Sequence, residues 1–180
     1  MVNKVLDNVL QKAKNIKLVI FDVDGVLTDG GLYFTDDGRE MKKFNVKDGL
    51  GISLLIKHGI EVAVITGRNS VIVADRMRSL GVNHVYQGRL NKLETYENLK
   101  AALHIGDQQV AFVGDDVIDI PIMDRCGLPV AVADAHESVI EKASWVLSKK
   151  GGDGAARQVC DVLLSSQQIA VDGYEFTGRQ

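Results

Sequence analysis

The sequence predicts a doubly wound α/β domain on a central parallel sheet, and three observations lead there. Short apolar runs alternate with helix-length stretches along most of the chain. Such alternation implies βαβ units with right-handed crossovers and a sheet covered on both faces. Several runs stop at polar residues of chemical use: Asp22 and Asp24, Thr66, then Asp115 and Asp116. Parallel sheets bind ligands beyond the carboxyl ends of their strands, so polar residues collected there read as a site. Finally, 180 residues, 46% hydrophobic and 25% charged, can bury a full core without staples.

The elements follow in order. Val5, Leu6, Val9, Leu10 and Ala13 fall at helical spacing, interrupted by Lys4, Asp7, Lys12 and Lys14. That is an amphipathic helix, not the continuous apolar core of a signal peptide. Residues 17–21 form the first buried strand. Residues 30–44 read as a β-hairpin flap around an Asp36-Asp37-Gly38 turn. Helices over 50–58, 70–80 and 92–103 lead to strands over 61–65, 84–86 and 110–113. A helix over 118–125, a strand over 129–132, a helix over 138–142 and a weaker strand over 145–147 complete the pattern. Residues 165–180 are polar with scattered apolar positions and read as a flexible tail. The whole of 1–180 is expected to be one domain, since no interval accommodates a second.

A formal net charge of -3 gives no hint of nucleic-acid binding. No segment is long and apolar enough to span a bilayer. Cys126 and Cys160 lack metal-ligand spacing and are too few for a disulfide framework, so a reduced cytoplasmic compartment is expected.

The chemistry begins at Asp22-Val23-Asp24-Gly25-Val26-Leu27-Thr28. Two acids at alternate positions, where an apolar strand gives way to a glycine turn, converge on a small space. Their like charges call for a cation or a shared proton. A plain Asp-Gly turn is the alternative for the dipeptide alone. Thr66-Gly67-Arg68 ends another strand with a hydroxyl and a glycine that lets backbone approach a phosphate, although taken alone such a tripeptide is more often a turn than a site. Gly114-Asp115-Asp116-Val117-Ile118-Asp119 adds acids from a further strand end, a hard-oxygen set suited to Mg²⁺. Asp116 also suits a helix N-terminus for dipole reasons alone. Lys92 opens a helix where a cation is mildly unfavourable, which becomes reasonable beside an anion.

In this order the four pieces resemble the haloacid dehalogenase superfamily, a Rossmann-like family of phosphotransferases. The resemblance implies Asp22 as nucleophile and Asp24 as general acid and base. It implies Thr66, Gly67 and Lys92 as phosphate ligands, and Mg²⁺ held by Asp22, the Asp24 backbone carbonyl and Asp115. Aspartate at Asp24 points to a hydrolase. Asn45-Val46-Lys47-Asp48-Gly49, Thr66-Gly67-Arg68 and the stretch from Gly151 to Arg157 resemble a subgroup without a cap domain that acts on phosphorylated sugar acids. That likeness implies Asn45, Val46, Lys47, Asp48, Gly49, Arg68 and Arg76 as sugar-acid contacts, together with Asp24 and Lys92. It also implies a homotetramer with a neighbour's tail near the site. The expected substrate is 3-deoxy-D-manno-octulosonate 8-phosphate, in lipopolysaccharide synthesis. A nine-carbon sugar-acid phosphate, a phosphoprotein or an idle regulatory module remain as alternatives. Arg68 follows a strand end and can grip a carboxylate bidentately. For Arg76 a solvated helix face is an equal reading.

Overall fold

The computed structural model describes residues 2–169. In chain order these form α1 (Val2–Ala13), β1 (Leu18–Phe21), β2 (Tyr33–Phe34), β3 (Glu40–Met41), α2 (Val46–Lys57), β4 (Glu61–Ile65), α3 (Val71–Leu80) and β5 (His84–Tyr86). Then come α4 (Lys92–Leu103), β6 (Val110–Gly114), α5 (Ile120–Met123), β7 (Leu128–Ala131), α6 (Glu137–Lys142), β8 (Trp145–Val146) and α7 (Ala155–Ser166). The main sheet is parallel throughout, in the order β5-β4-β1-β6-β7-β8.

β1 is apolar at every position because helices cover both faces of the sheet. Its alternate residues serve two cores. Val19 and Phe21 pack with residues of α2 and α7, whereas Leu18 and Ile20 pack with Tyr96 and Leu99 of α4. Leu18 lies opposite Glu61 of β4 on one side and Val110 of β6 on the other. From β1 the chain winds outward to β4 and β5, then crosses to β6 and continues the other way. The topological switch point therefore falls between β1 and β6, whose carboxyl ends carry Asp22 and Asp115.

The helices depart from the sequence expectation at three places. α2 starts at Val46, not at residue 50, because the Asn45 side chain caps it by accepting from Lys47 N at 2.9 Å. Its glycines argue against a helix, yet Gly51 is what lets α2 pack closely on α7: a Cβ there would lie 3.0 Å from Cys160 Cβ. The helix expected over 118–125 is shorter, with a 3-10 turn over Val117–Asp119 preceding α5. α7 was not anticipated. Ala155, Ala156, Val159, Cys160, Leu163 and Leu164 are buried along one of its faces. The tail expected over 165–180 consequently begins inside this helix, and Ile169 still packs against the core. Residues 170–180 lie outside the described residues.

The hairpin forms as expected, with β2 and β3 antiparallel and Gly38 at φ 79° in its turn. Leu32, Phe34 and Met41 are all exposed on it. Among the described residues no helix is long and apolar enough to cross a membrane.

Candidate active site

Asp22 leaves β1 with its N–H donating to Val113 O of β6 at 3.1 Å. The following loop closes on one carbonyl: the N–H groups of Val26, Leu27 and Thr28 all donate to Val23 O, at 3.2, 2.9 and 3.0 Å. The buried Thr28 hydroxyl also donates to Val23 O at 3.2 Å. Gly25 makes the loop's tight approach possible. At φ 87° it holds a left-handed conformation, and a Cβ there would lie 2.0 Å from Asp115 Oδ2. Gly151 and Gly152 brace the loop from behind. Gly152 N donates to Val26 O at 2.9 Å, and a Cβ on Gly151 would lie 1.8 Å from Gly25 O.

Lys92, fully buried at the start of α4, joins the acids. Its Nζ lies 2.9 Å from Asp22 Oδ2 and donates to Asp119 Oδ1 at 2.7 Å. The other oxygen of Asp119 accepts from Asp115 N at 3.0 Å and from Asp116 N at 3.4 Å. Asp119 thus spends both oxygens on holding Lys92 and the loop after β6. Gly114 must be glycine for this, since a Cβ there would lie 2.5 Å from Asp119 Oδ2.

The remaining acids are short of positive charge. Burial pushes the Asp22 carboxyl up to about 6, against the pull of Lys92. Burial, then the neighbouring Asp22 and Asp119 charges, pushes Asp115 up to about 8. Asp115 Oδ1 is buried without a hydrogen-bond partner. Oxygens of Asp22, Asp115 and Asp119 lie within 4.8 Å of one another. Crowded carboxylates and an orphaned oxygen fit a hard divalent cation, which Asp22 and Asp115 could hold.

Thr66, Gly67 and Arg68 form the adjoining wall after β4. Thr66 O and Arg68 O accept from Arg89 N at 2.9 Å and Gly88 N at 3.1 Å, tying this turn to the loop before α4. The hairpin closes over the same side. Lys42 is ion-paired with Asp24 Oδ1, and Arg68 Nε lies 3.8 Å from Asp24 Oδ2. Between these cations Glu40 Oε1 accepts from Arg68 Nη2 at 2.7 Å. Glu40 and Lys42 were not singled out in the sequence. The sequence there shows no more than an acid and a base at alternate positions of an extended segment.

The 45–49 segment is brought together with Arg76 but not with the Asp22 cluster directly. Asn45, Asp48, Gly49 and Arg76 line a small void with Leu27 and Phe44. A Cβ on Gly49 would lie 2.3 Å from Arg76 Nη2, so the guanidinium lies across this glycine. Asp48 faces α7, where Oδ1 accepts from Arg157 N at 2.7 Å. Gly154, at the N-cap position, has no side chain to do this. Val46 and Lys47 are exposed.

The family pattern described as haloacid dehalogenase-like hydrolase matches residues 81–159. A 3-deoxy-D-manno-octulosonate 8-phosphate phosphatase of Yersinia pestis is 51% identical over 163 residues, 91% of this chain and 87% of its own length. The chain belongs to the haloacid dehalogenase-like hydrolases. The solved structure of a Yersinia pestis phosphatase of that name superposes on this hydrolase with TM-score 0.90 at 50% identity, covering 93% of this chain and 90% of that one. The Moraxella catarrhalis phosphatase, solved with a magnesium ion, a phosphate ion and the sugar acid, gives TM-score 0.88 at 38% identity, over 90% and 93% of the two chains.

Proposed function

We propose that this hydrolase releases inorganic phosphate from 3-deoxy-D-manno-octulosonate 8-phosphate, with Mg²⁺ as cofactor, in lipopolysaccharide synthesis. The observation that carries the reading is this chain's cluster of Asp22, Asp115 and Asp119 around buried Lys92, and it is supported by relatives that share half of the sequence and carry that activity in their names.

In the reaction Asp22 attacks the phosphorus in line as the bond to the sugar oxygen breaks, leaving an aspartyl phosphate. Asp24, at the rim, gives its proton to the departing alkoxide. It then takes one from the water that attacks the phosphorus, and cleavage of the acyl phosphate returns Asp22 to its carboxylate. Thr66, Gly67 and Lys92 bind the phosphate oxygens. A Mg²⁺ ion held by Asp22, Asp115 and the Asp24 backbone carbonyl supplies charge neutralisation to a dianionic ester. Arg68, and Arg76 with the segment Asn45–Gly49 beside it, recognise the sugar acid. Asp48 joins that border through its hold on α7.

The exposed Leu32, Tyr33, Phe34 and Met41 of the hairpin support a homo-oligomer, a tetramer on the family resemblance, with the C-terminal tail of a neighbour near the site. Two buried free cysteines support a cytoplasmic location. The direct test is phosphate release across a panel of sugar phosphates and one phosphopeptide, with Mg²⁺ and after chelation. Preference for a neutral sugar phosphate or the phosphopeptide would reject the substrate, and full activity after exhaustive chelation would reject the metal.

A further inference from the structure

Glu40 and Lys42 project from one face of the hairpin toward the site, while Met41 between them is exposed. Both oxygens of Glu40 are engaged. Oε1 accepts from Arg68 Nη2 at 2.7 Å, and Oε2 accepts from Ser70 Oγ at 2.9 Å. Lys42 Nζ adds an ion pair at 3.5 Å while it also holds Asp24. A carboxylate therefore already lies in a guanidinium, hydroxyl and ammonium site, alongside the residue that handles the proton. The element that delivers it is weakly held. β2 and β3 are two residues each, and their residues are exposed or half-buried. A lone two-stranded hairpin is marginal in water, and Arg68 is 45% exposed, so its pair with Glu40 contributes little stability.

We infer that Glu40 is an internal stand-in for the carboxylate of an acidic substrate, filling the Arg68–Ser70 site until a substrate carboxylate displaces it. This rests on the sugar-acid reading above. An acidic sugar phosphate exchanges one carboxylate for another and leaves the local charge balanced. A neutral sugar phosphate has nothing to put in that place, so Glu40 stays and Arg68 contributes nothing to its binding. Glu40 is on this account a specificity residue.

The test uses free 3-deoxy-D-manno-octulosonate as the titrant in calorimetry on the intact parent, on Glu40→Gln and on a Glu40→Gln/Arg68→Ala double variant. Glu40→Gln should bind the free sugar acid about threefold to tenfold more tightly than the parent, because the competitor's charge is gone. The double variant should lose that gain. In turnover, Glu40→Gln should lower KM for the acidic sugar phosphate and leave KM for mannose 6-phosphate unchanged. Unchanged or weaker binding of the sugar acid by Glu40→Gln overturns the inference, as does a gain that survives in the double variant. A parent enzyme that prefers mannose 6-phosphate would overturn the substrate reading instead, while the calorimetry still decides the role of Glu40.

Discussion

Helix α4 carries two buried lysines, and each gathers acids at opposite ends of the sheet. At the carboxyl end, Lys92 meets Asp22 and Asp119 with Asp115 close by. At the amino end, Lys100 pairs with Asp107 and with Glu97 at 3.0 Å, and its ammonium lies 4.4 Å from the Tyr96 ring centre. Arg125 adds a second cation, 3.2 Å from Glu97. The residue types match, yet the balance differs. Around Lys100 two cations face two acids, the Tyr96 hydroxyl donates to Asp107 Oδ1 at 2.6 Å, and these contacts outweigh burial to hold the Asp107 carboxyl below its ordinary value. Around Lys92 one cation faces three acids. Burial there drives Asp22 and Asp115 upward and leaves one Asp115 oxygen unpartnered. A cluster whose charges balance stabilises the fold, and one left short of positive charge is built to receive a ligand.

The sharpest way to break this contrast is to neutralise each end in turn. Asp22→Asn should lower turnover on the order of 10⁴-fold or more, since an amide cannot form the acyl phosphate. Its melting temperature without metal should hold or rise, because a buried charge has gone. Near-parental phosphate release by this variant would end the covalent mechanism. Asp24→Asn should cost about 10²–10⁴-fold in turnover by removing both proton transfers, with little change in melting.

The amino-end cluster should answer in the opposite currency. Asp107→Asn should destabilise the protein by about 1–3 kcal/mol in denaturant titration and leave kcat/KM unchanged, since Tyr96 and Lys100 lose a charged partner. A larger effect on turnover than on stability would dissolve the distinction.

The contrast can also be sharpened through pH. The folded chain, with Asp22 at about 6 and Asp115 at about 8, keeps protons that the unfolded chain releases near 3.8. Metal-free stability therefore falls as pH rises from about 4 through 8, and a bound divalent cation, by favouring the carboxylates, should flatten the trend. Melting curves with and without Mg²⁺ across that range measure both. A metal-free melting temperature that climbs over the interval would contradict the charge deficit.

Much of this was legible in the sequence, for identifiable reasons. The strands stood out because a doubly covered sheet needs continuous apolar runs, and β4 and β5 fall where that pattern put them. Asp22, Thr66, Lys92 and Asp115 were legible as polar residues at strand and helix ends. α7 was missed although Ala155, Ala156, Val159, Cys160, Leu163 and Leu164 recur at helical spacing. The glycines just before it drew attention as a motif, and the polar residues after it read as tail. The resemblance put Asp48 among the sugar-acid contacts, and only the packing of α2 on α7 reveals the amide it accepts from. The grip of Glu40 and Lys42 on Arg68 and Asp24 depends on how the hairpin folds back, a long-range event with no local periodicity to announce it.

The glycine pair behind the nucleophile loop has a consequence for synthesis of the chain. Asp22 leaves the ribosome long before the backbone that braces its loop, at Gly151 and Gly152, and before the helix that follows them. Closing so long an interval is slow relative to forming local helices. A nascent chain can build β1 and β4 side by side and still lack the turn that aims the nucleophile. The loop is thereby set only once Gly151 and Gly152 have joined the fold, and a product that stops before them lacks its brace.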